Sequence, residues 1–257
     1  MSAPAKRGRP PRDPVDVLRT KVWFASLKAI SRLPSAYAIE TAVCFPNSRG
    51  RPRGGPRPRN FAAYAKGQCV PQRKGDGSGI VDLAEAHFPG SAAVFDSPVW
   101  HLLNGELVDR AWIYSALRSL PFVSRTLVGS RGDLMHPSQY YEGLAGLLSD
   151  HPASMGTLAV TMLFWRLAET IADKELQKQA IDSYLMLQPE LEKLPELAGS
   201  LASELFESID KKFPHWVYSG TLRQEIVVST NHLRRCRPGQ ALERSDIYIR
   251  ITELRDR

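Results

Sequence analysis

The sequence predicts a mainly all-α fold in which a strongly basic N-terminal region precedes a helical body. Long segments after residue 100 repeat apolar residues at three- and four-residue steps, which is the spacing of a buried helix face. Alternation with the period of a strand occurs in one short late segment. Apolar residues make up 43% of the 257 residues and charged residues 24%, a composition typical of folded globular proteins. At this length, two small domains are favoured over one large domain.

Positive charge is concentrated near the N-terminus. Residues 1–75 hold 16 of the 34 Lys and Arg residues and only three of the 27 acidic residues, so their net charge is +13. The remaining 182 residues hold the other 18 basic and 24 acidic residues, which gives them a net charge of −6. This asymmetry is typical of a polyanion-binding module joined to an ordinary protein body.

Two segments of the basic region are predicted to lack regular structure. Residues 1–14 are rich in Pro, Gly and basic side chains, which indicates a disordered basic arm. Residues 46–59 carry five Arg, four Pro and three Gly, a composition that cannot pack a core and therefore predicts an exposed loop. This loop interrupts a basic helical subdomain, predicted over residues 15–79, that is suited to binding nucleic acid.

Helices of the subdomain are predicted from apolar spacing and from the residues that begin and end them. Their expected ranges are 14–33, 35–45 and 60–66. Pro34 is expected to end the first helix, Ser35 to cap the second, and Gly67 to end the third in the left-handed conformation. Phe61 and Tyr64 are three residues apart, so both are expected to face the core.

Residues 80–257 form the predicted helical body, to which we assign dimerisation or partner binding. Ser78 is expected to cap its first helix, and Ser97 and Pro98 to open a second that ends at Gly105. The other expected helix ranges, with that of the first, are 80–88, 107–120, 137–148, 157–172, 174–187 and 195–213.

The end of the body carries a leucine stripe and one strand pattern. Because its members recur at three- and four-residue steps, the stripe should be buried against another helix of this chain or of a second copy, as in a homodimer. The stripe consists of Leu194, Leu197, Leu201, Leu205 and Ile209. Residues 247–251 alternate in polarity and predict a strand, with 226–229 as its candidate partner in a short C-terminal β-hairpin.

Two short Arg-Gly-Arg-Pro segments give the first signal for nucleic-acid binding. Lys6-Arg7-Gly8-Arg9-Pro10 resembles the core of an AT-hook, and Arg49-Gly50-Arg51-Pro52-Arg53 repeats the pattern. An extended Arg-rich arm without bulky side chains fits the minor groove, which is ~6 Å wide and most negative in A·T-rich DNA. The resemblance implies that Arg9 and Arg51 enter this groove.

The segment around the third predicted helix gives the second signal. It consists of Arg57, Arg59, Asn60, Phe61, Tyr64, Lys66, Gly67 and Pro71. This segment resembles the end of a helix-turn-helix of the phage-repressor type, in which a short recognition helix finishes at Gly and a Pro opens the next segment. The resemblance implies that the polar residues of the helix face DNA. The sequence departs from the motif in the length of the link between its two helices. Residues 46–59 form this link, whereas the motif uses a turn of ~3 to 4 residues.

The interpretation is a DNA-binding regulatory or accessory protein that divides its contacts to duplex DNA among three sets of residues. The set expected to neutralise backbone phosphates is Lys6, Arg7, Arg12, Arg49, Arg53 and Arg57. Arg9 and Arg51 form the minor-groove set. Arg59, Asn60 and Lys66 form the set that faces base edges or phosphates, and sequence specificity would come from these three and from DNA shape.

Two alternative functions remain open on the sequence alone. The Arg/Gly/Pro composition of residues 46–59 is also typical of arms that bind RNA, although that segment lacks the aromatic residues on which bases stack. In the other alternative, the basic region docks an acidic partner protein and nucleic acid plays no part. Competition by RNA and survival of a complex after nuclease treatment distinguish these alternatives from DNA binding.

Other function classes find no support in the sequence. The six His residues lack metal-ligand spacing, and the three Cys residues match no zinc or disulfide framework, which favours a reducing compartment. The strongly apolar stretch 158–167 includes Arg166 and is far shorter than the ~20 residues of a membrane-spanning helix. We therefore expect a cytoplasmic protein, nucleoid-associated in a bacterium, that is not an enzyme and has no metal, cofactor or membrane partner.

A further pattern spans residues 88–103. It is carried by Phe88-Pro89-Gly90-Ser91, Phe95 and Trp100-His101-Leu102-Leu103. This pattern resembles an uncharacterised bacterial family with no settled function, so the resemblance implies nothing further about activity.

Overall fold

Helices account for the architecture of the described residues. The computed structural model describes residues 12–45, 60–74, 76–105, 108–121, 123, 144–149 and 151–213. Within these ranges the fold is all-α and contains no strand, as the sequence predicts. The predicted strand at 247–251 and its candidate partner at 226–229 lie outside the described residues. The helices are α1 Pro14–Ser31, α2 Ala36–Cys44, α3 Asn60–Ala65, α4 Ile80–His87, α5 Ser91–Phe95, α6 Pro98–Asn104, α7 Arg110–Ser119, α8 Leu144–Ser149, α9 Met155–Ile171, α10 Lys174–Leu191 and α11 Leu201–Lys212.

The first two helices begin at residues that suit helix starts. The Asp13 carboxylate accepts a hydrogen bond from the backbone N–H of Val15, and Pro14 occupies the first helical position. Helix α1 ends at Ser31, before Pro34, because Arg32 adopts the left-handed conformation with φ 54°. The predicted cap of α2 is confirmed, since the Ser35 hydroxyl accepts from the backbone of the third residue of the helix.

Two other predicted caps have opposite outcomes. The cap of α6 is confirmed, with Ser97 as N-cap, Pro98 in the first turn and Gly105 in the left-handed conformation after the last residue. The cap of α4 is wrong, because Gly79 rather than Ser78 is the N-cap residue. The Ser78 hydroxyl instead donates to the Asp76 carboxylate, and Asp82 in the first turn accepts from the Gly79 backbone.

The last described helical segment is broken where one helix is predicted. A 3₁₀ turn covers Pro195–Leu197, and α11 begins only at Leu201. Gly199 interrupts the segment with φ +71°, a conformation that an α-helix cannot continue through. Leu197, Leu205 and Ile209 of the stripe are nevertheless buried within this chain. Three other helices also differ from their predicted ranges: α7 begins at Arg110, α9 at Met155, and α10 continues to Leu191.

Apolar side chains form two clusters that share α1. The N-terminal cluster joins α1 to α2, α3, α4 and α5, and α1 contributes Trp23, Phe24 and Leu27 to it. The body cluster joins α1 to α6, α7, α8, α9, α10 and α11 and also includes Val94 of α5, and α1 contributes Leu18 and Val22. All described residues belong to one compact unit. Helix α1 therefore packs against elements on both sides of the predicted domain boundary at residue 79.

The body cluster is centred on α9. Most positions of this helix are buried, which is expected of a helix that is apolar on every face. It packs against α10, α7 and α6. No helix in the described part of the chain combines the length and the apolar character that a membrane span requires.

Candidate nucleic-acid interface

Helix α3 is fixed on the rest of the fold by two aromatic residues on one face. Phe61 is fully buried and Tyr64 nearly so, as the sequence predicts from their three-residue spacing. Trp23 of α1 contacts both, with ring centroids 6.3 Å from Phe61 and 5.8 Å from Tyr64. Phe95 of α5 packs against the same indole at 5.9 Å. Edge and tilted contacts of this kind are favourable, so four aromatic rings hold a helix that is too short to be stable alone.

Gly67 ends α3 and lets it lie directly against α1. The backbone N–H of Gly67 donates to Tyr64 O and that of Gln68 donates to Ala63 O, which together make the Schellman motif at a helix end. Gly67 has φ +64°, and a Cβ added there would lie 2.6 Å from Val17 Cγ1. The prediction that a left-handed Gly ends this helix is confirmed, and the structure adds that the position has no room for a side chain.

The polar residues of α3 and its end are exposed to solvent. Asn60 begins the helix and Lys66 follows its last residue, and both side chains are exposed. The neighbouring Lys21 of α1 has its Nζ 2.9 Å from Glu204 Oε2, so its charge is already paired. Lys66 is thus better placed than Lys21 to meet an external anion.

Arg12 lies on the same side of the fold as the end of α3. Its positive charge acts on the Cys69 thiol, three residues beyond Lys66. Burial raises the pKa of Cys69, and the charge of Arg12 partly opposes that rise. Arg12 is the first described residue and belongs to the predicted arm, residues 1–14, and Asn60 is the first described residue after the predicted loop. The predicted loop therefore leads directly into α3, and the charge of the arm's Arg12 reaches the segment that follows α3.

Three of the predicted DNA-contacting residues can be located in the structure. Asn60 begins α3 and Lys66 follows its end, while the charge of Arg12 acts on Cys69, three residues beyond Lys66. The other predicted contacts lie outside the described residues: Lys6, Arg7, Arg9, Arg49, Arg51, Arg53, Arg57 and Arg59. The helix-turn-helix resemblance stays a prediction, with α2 and α3 in contact and residues 45–59 between them.

The thiols of Cys44 and Cys69 and the phenol of Tyr64 pack at the N-terminal cluster, where burial affects their ionisation. Burial raises the pKa of Cys44 at the end of α2, and the negative charge of Glu40 raises it further. Burial also raises the pKa of Tyr64 to about 12, with smaller contributions from Cys69, Cys44 and Glu40. These groups therefore stay protonated and neutral at neutral pH, which suits a supporting core rather than nucleophilic chemistry.

The raised pKa of Tyr64 predicts a specific loss of stability at alkaline pH. The folded state holds the phenol proton more tightly than the unfolded state, whose pKa is near 10.0. This group's contribution to stability is complete below pH 10 and is lost as the pH rises towards 12. The free energy of unfolding of the wild type should therefore fall relative to that of Tyr64→Phe over that interval. Chemical denaturation at a series of pH values measures it, and a difference independent of pH would contradict the assignment.

Two residues that build the site were missed by sequence reasoning. Trp23 and Val17 belong to α1, about forty residues before α3 in the chain, and their contacts with Phe61, Tyr64 and Gly67 are purely tertiary. No local spacing links such distant positions, although an apolar face on α1 is visible in the sequence. Among the described residues, no group of His, Cys, Asp and Glu is arranged to hold a metal ion.

Comparison with known proteins adds no relative to this picture. The chain matches no protein-family model, no curated protein and no solved structure.

Proposed function

We propose that the protein is a DNA-binding regulatory or accessory protein whose contacts with duplex DNA centre on α3. The proposal rests on how this short helix packs. Phe61 and Tyr64 are buried in the core, while Asn60 and Lys66 are exposed. Binding residues act best when the supporting side chains hold them rigidly. An arginine- and proline-rich segment enters at one end of α3, and a basic arm leads to Arg12 near the other.

The charge distribution supports a polyanion as the partner. Residues 1–75 carry a net charge of +13, so this region has many more cationic side chains than its three acidic residues can pair. Lys21 is paired with Glu204, and Arg73 with Asp82 and Asp96, so these two belong to the fold. The proposed phosphate contacts are Lys6, Arg7, Arg12, Arg49, Arg53 and Arg57. Lys66 faces base edges or phosphates, and Asn60 is the proposed base-reading side chain because an amide can pair with adenine.

Binding to a fluorescent DNA duplex across a salt series tests the proposal. If five to eight phosphates are neutralised, log affinity should fall against log salt with a slope of about −4 to −7. Single-stranded RNA of matched length should compete poorly. Strong competition by RNA would favour the RNA alternative, and no duplex binding at moderate salt would overturn the proposal.

Substitutions on α3 test whether that helix contacts the duplex. Lys66→Ala should reduce the magnitude of the salt slope by about 1, and Asn60→Ala should lower affinity with little change of slope. Lys178→Ala removes another exposed lysine, from α10, and serves as the matched control. Equal losses from Lys66→Ala and Lys178→Ala would show that only overall charge matters.

The minor-groove assignment has its own test in the basic segments. The double variant Arg9→Ala, Arg51→Ala should weaken binding to A·T-rich duplex more than binding to G·C-rich duplex, because the narrow A·T groove attracts inserted arginines. Equal losses on the two duplexes would contradict the minor-groove role. In this proposal the helical body from residue 80 serves dimerisation or partner recruitment, and light scattering of the purified protein checks the oligomeric state.

A further inference from the structure

A polar cleft of about 400 Å³ lies away from α3, where α1 meets the α5–α6 turn and α7. Its volume is within the range of clefts that hold small molecules, roughly 300 to 1,000 Å³. The proposed DNA contacts do not line it. The residues that line it come from four segments and are Arg19, Asp96, Ser97, Pro98, Trp100, His101, Asn104, Trp112, Ser115, Ala116 and Ser119.

Arg19 enters this cleft as an oriented cation. Its Nε donates to Phe95 O at 2.7 Å, and its guanidinium carbon lies 3.8 Å from the centroid of the Phe95 ring. These two contacts fix the plane of the guanidinium. No carboxylate of the described residues lies within ion-pair distance of Arg19, so its two terminal nitrogens are left as donors. A planar fork held in this way matches the two oxygens of a carboxylate.

Asp96, the acidic residue of the lining, is held by a different arginine. Arg73 Nη2 lies 2.9 Å from Asp96 Oδ2, and Arg73 Nη1 also pairs with Asp82. The carboxylate of Asp96 is therefore paired with Arg73 and lies outside ion-pair distance of Arg19, although its charge and that of Asp16 act on the Arg19 guanidinium. Its negative charge belongs to the lining of the cleft. A ligand with one negative charge is therefore better accommodated than a doubly charged phosphate, which Asp96 would repel.

The side of the cleft formed by α6 and α7 is aromatic. His101 and Trp112 stack with ring centroids 4.2 Å apart and an interplanar angle of 25°. Both rings are half-buried and both line the cleft, and the stacking covers one face of each ring and leaves the other outside the pair. Ser115 and Ser119 lie one turn apart on α7 beside this surface and add hydroxyl groups. A planar ring of a ligand packs favourably against aromatic side chains of this kind.

We propose that this cleft binds a small planar carboxylate, with the carboxylate on Arg19 and the ring against Trp112. The site is separate from α3, so binding of a carboxylate there does not depend on the proposed DNA binding. An oriented cationic donor and an aromatic pair in the same lining distinguish it from an ordinary surface groove.

Binding of benzoate, salicylate and indole-3-acetate to the full chain, measured by calorimetry, tests the proposal. The three carboxylates should bind, whereas benzamide, which has the ring without the charge, and acetate, which has the charge without the ring, should bind at least about tenfold more weakly. Phenyl phosphate should also bind more weakly than benzoate. Failure of all three carboxylates to bind at millimolar concentration, or equal binding of benzamide, would overturn the proposal.

Variants of the lining locate the binding site. Arg19→Gln should weaken benzoate binding at least about tenfold, while Arg110→Gln, which removes an exposed cation of α7 outside the cleft, should leave it unchanged. Because Arg19 also contacts Phe95, Ser115→Leu provides a second test: it fills the cleft from an exposed position without touching Arg19. Benzoate affinity unchanged in a folded Ser115→Leu protein would place the ligand elsewhere and contradict the proposal.

Discussion

Replacing Gly67 by Ala is expected to lower the free energy of unfolding by about 3 kcal/mol and to weaken binding to duplex DNA. The left-handed conformation costs a residue with a Cβ about 1 to 2 kcal/mol, and overpacking against a fixed neighbour adds about 1 to 3 kcal/mol. Here the neighbour is Val17 of α1, 2.6 Å from the added Cβ, and its backbone oxygen lies at 3.3 Å. Denaturant unfolding measures the first effect and duplex titration the second.

Gly199→Ala is the matched control for that substitution. Gly199 also has a positive φ, +71°, but no atom lies within 4 Å of an added Cβ. Only the conformational cost of about 1 to 2 kcal/mol should therefore appear, and binding to DNA should not change. If the two variants lose equal stability, the close approach of α3 to α1 at Gly67 does not constrain the fold.

Replacing Trp23 by Ala should cost about 3 to 5 kcal/mol, the range for removing a large aromatic side chain from a core. The indole is fully buried and is in contact with Phe61, Tyr64 and Phe95, so its loss leaves a cavity beneath α3. We expect α3 to lose its fixed position before the body cluster unfolds, because the body cluster does not include this residue. Amide hydrogen exchange should show loss of protection first in residues 60–67.

Tyr37→Ala provides the comparison for the loss of Trp23. Tyr37 belongs to α2 and is 53% exposed, so its removal should change stability by about 0.5 kcal/mol or less. Uniform loss of protection throughout the described residues in Trp23→Ala would contradict the separate role of the N-terminal cluster. Loss confined to α3 and its neighbours would agree with it.

The helical character of the fold and several of its helix ends follow from local sequence. Ser35, Ser97 and Pro98 occupy the positions that their chemistry favours, since a cap depends on a few adjacent residues. Gly67 and Gly105 end helices for the same reason. Local patterns therefore predict where a helix begins or ends when the residues that decide it lie within one helical turn.

The wrong predictions arise where two local alternatives compete. Ser78 is a good cap residue, yet Asp76 captures its hydroxyl two residues away and Asp82 supplies the acceptor for Gly79. The leucine stripe continues across Gly199 in the sequence, although the backbone there leaves the helix. An apolar stripe reports which residues are buried, and it does not require that the helix is continuous.

The candidate sites differ in how far the sequence predicts them. The burial of Phe61 and Tyr64 follows from their spacing on one short helix, so the orientation of α3 is predictable. The cleft at Arg19 is not, because its lining joins residues about 75 to 100 positions apart in the chain and depends on the packing of α1, α6 and α7. Arg19 differs from other arginines only through its contacts with Phe95.

The position of α1 between the two clusters has a consequence for the order of folding during synthesis. Lys21 and Glu204 are separated by 183 positions, and the body cluster that covers Leu18 and Val22 includes residues of α11. At a translation rate of roughly 5 to 20 residues per second, the ribosome needs about 10 to 40 seconds to make the intervening chain. During that time the residues of α1 that belong to the body cluster lack part of the surface against which they pack. The nascent chain should therefore depend on chaperone protection of its first helix until nearly all of the described fold has left the exit tunnel.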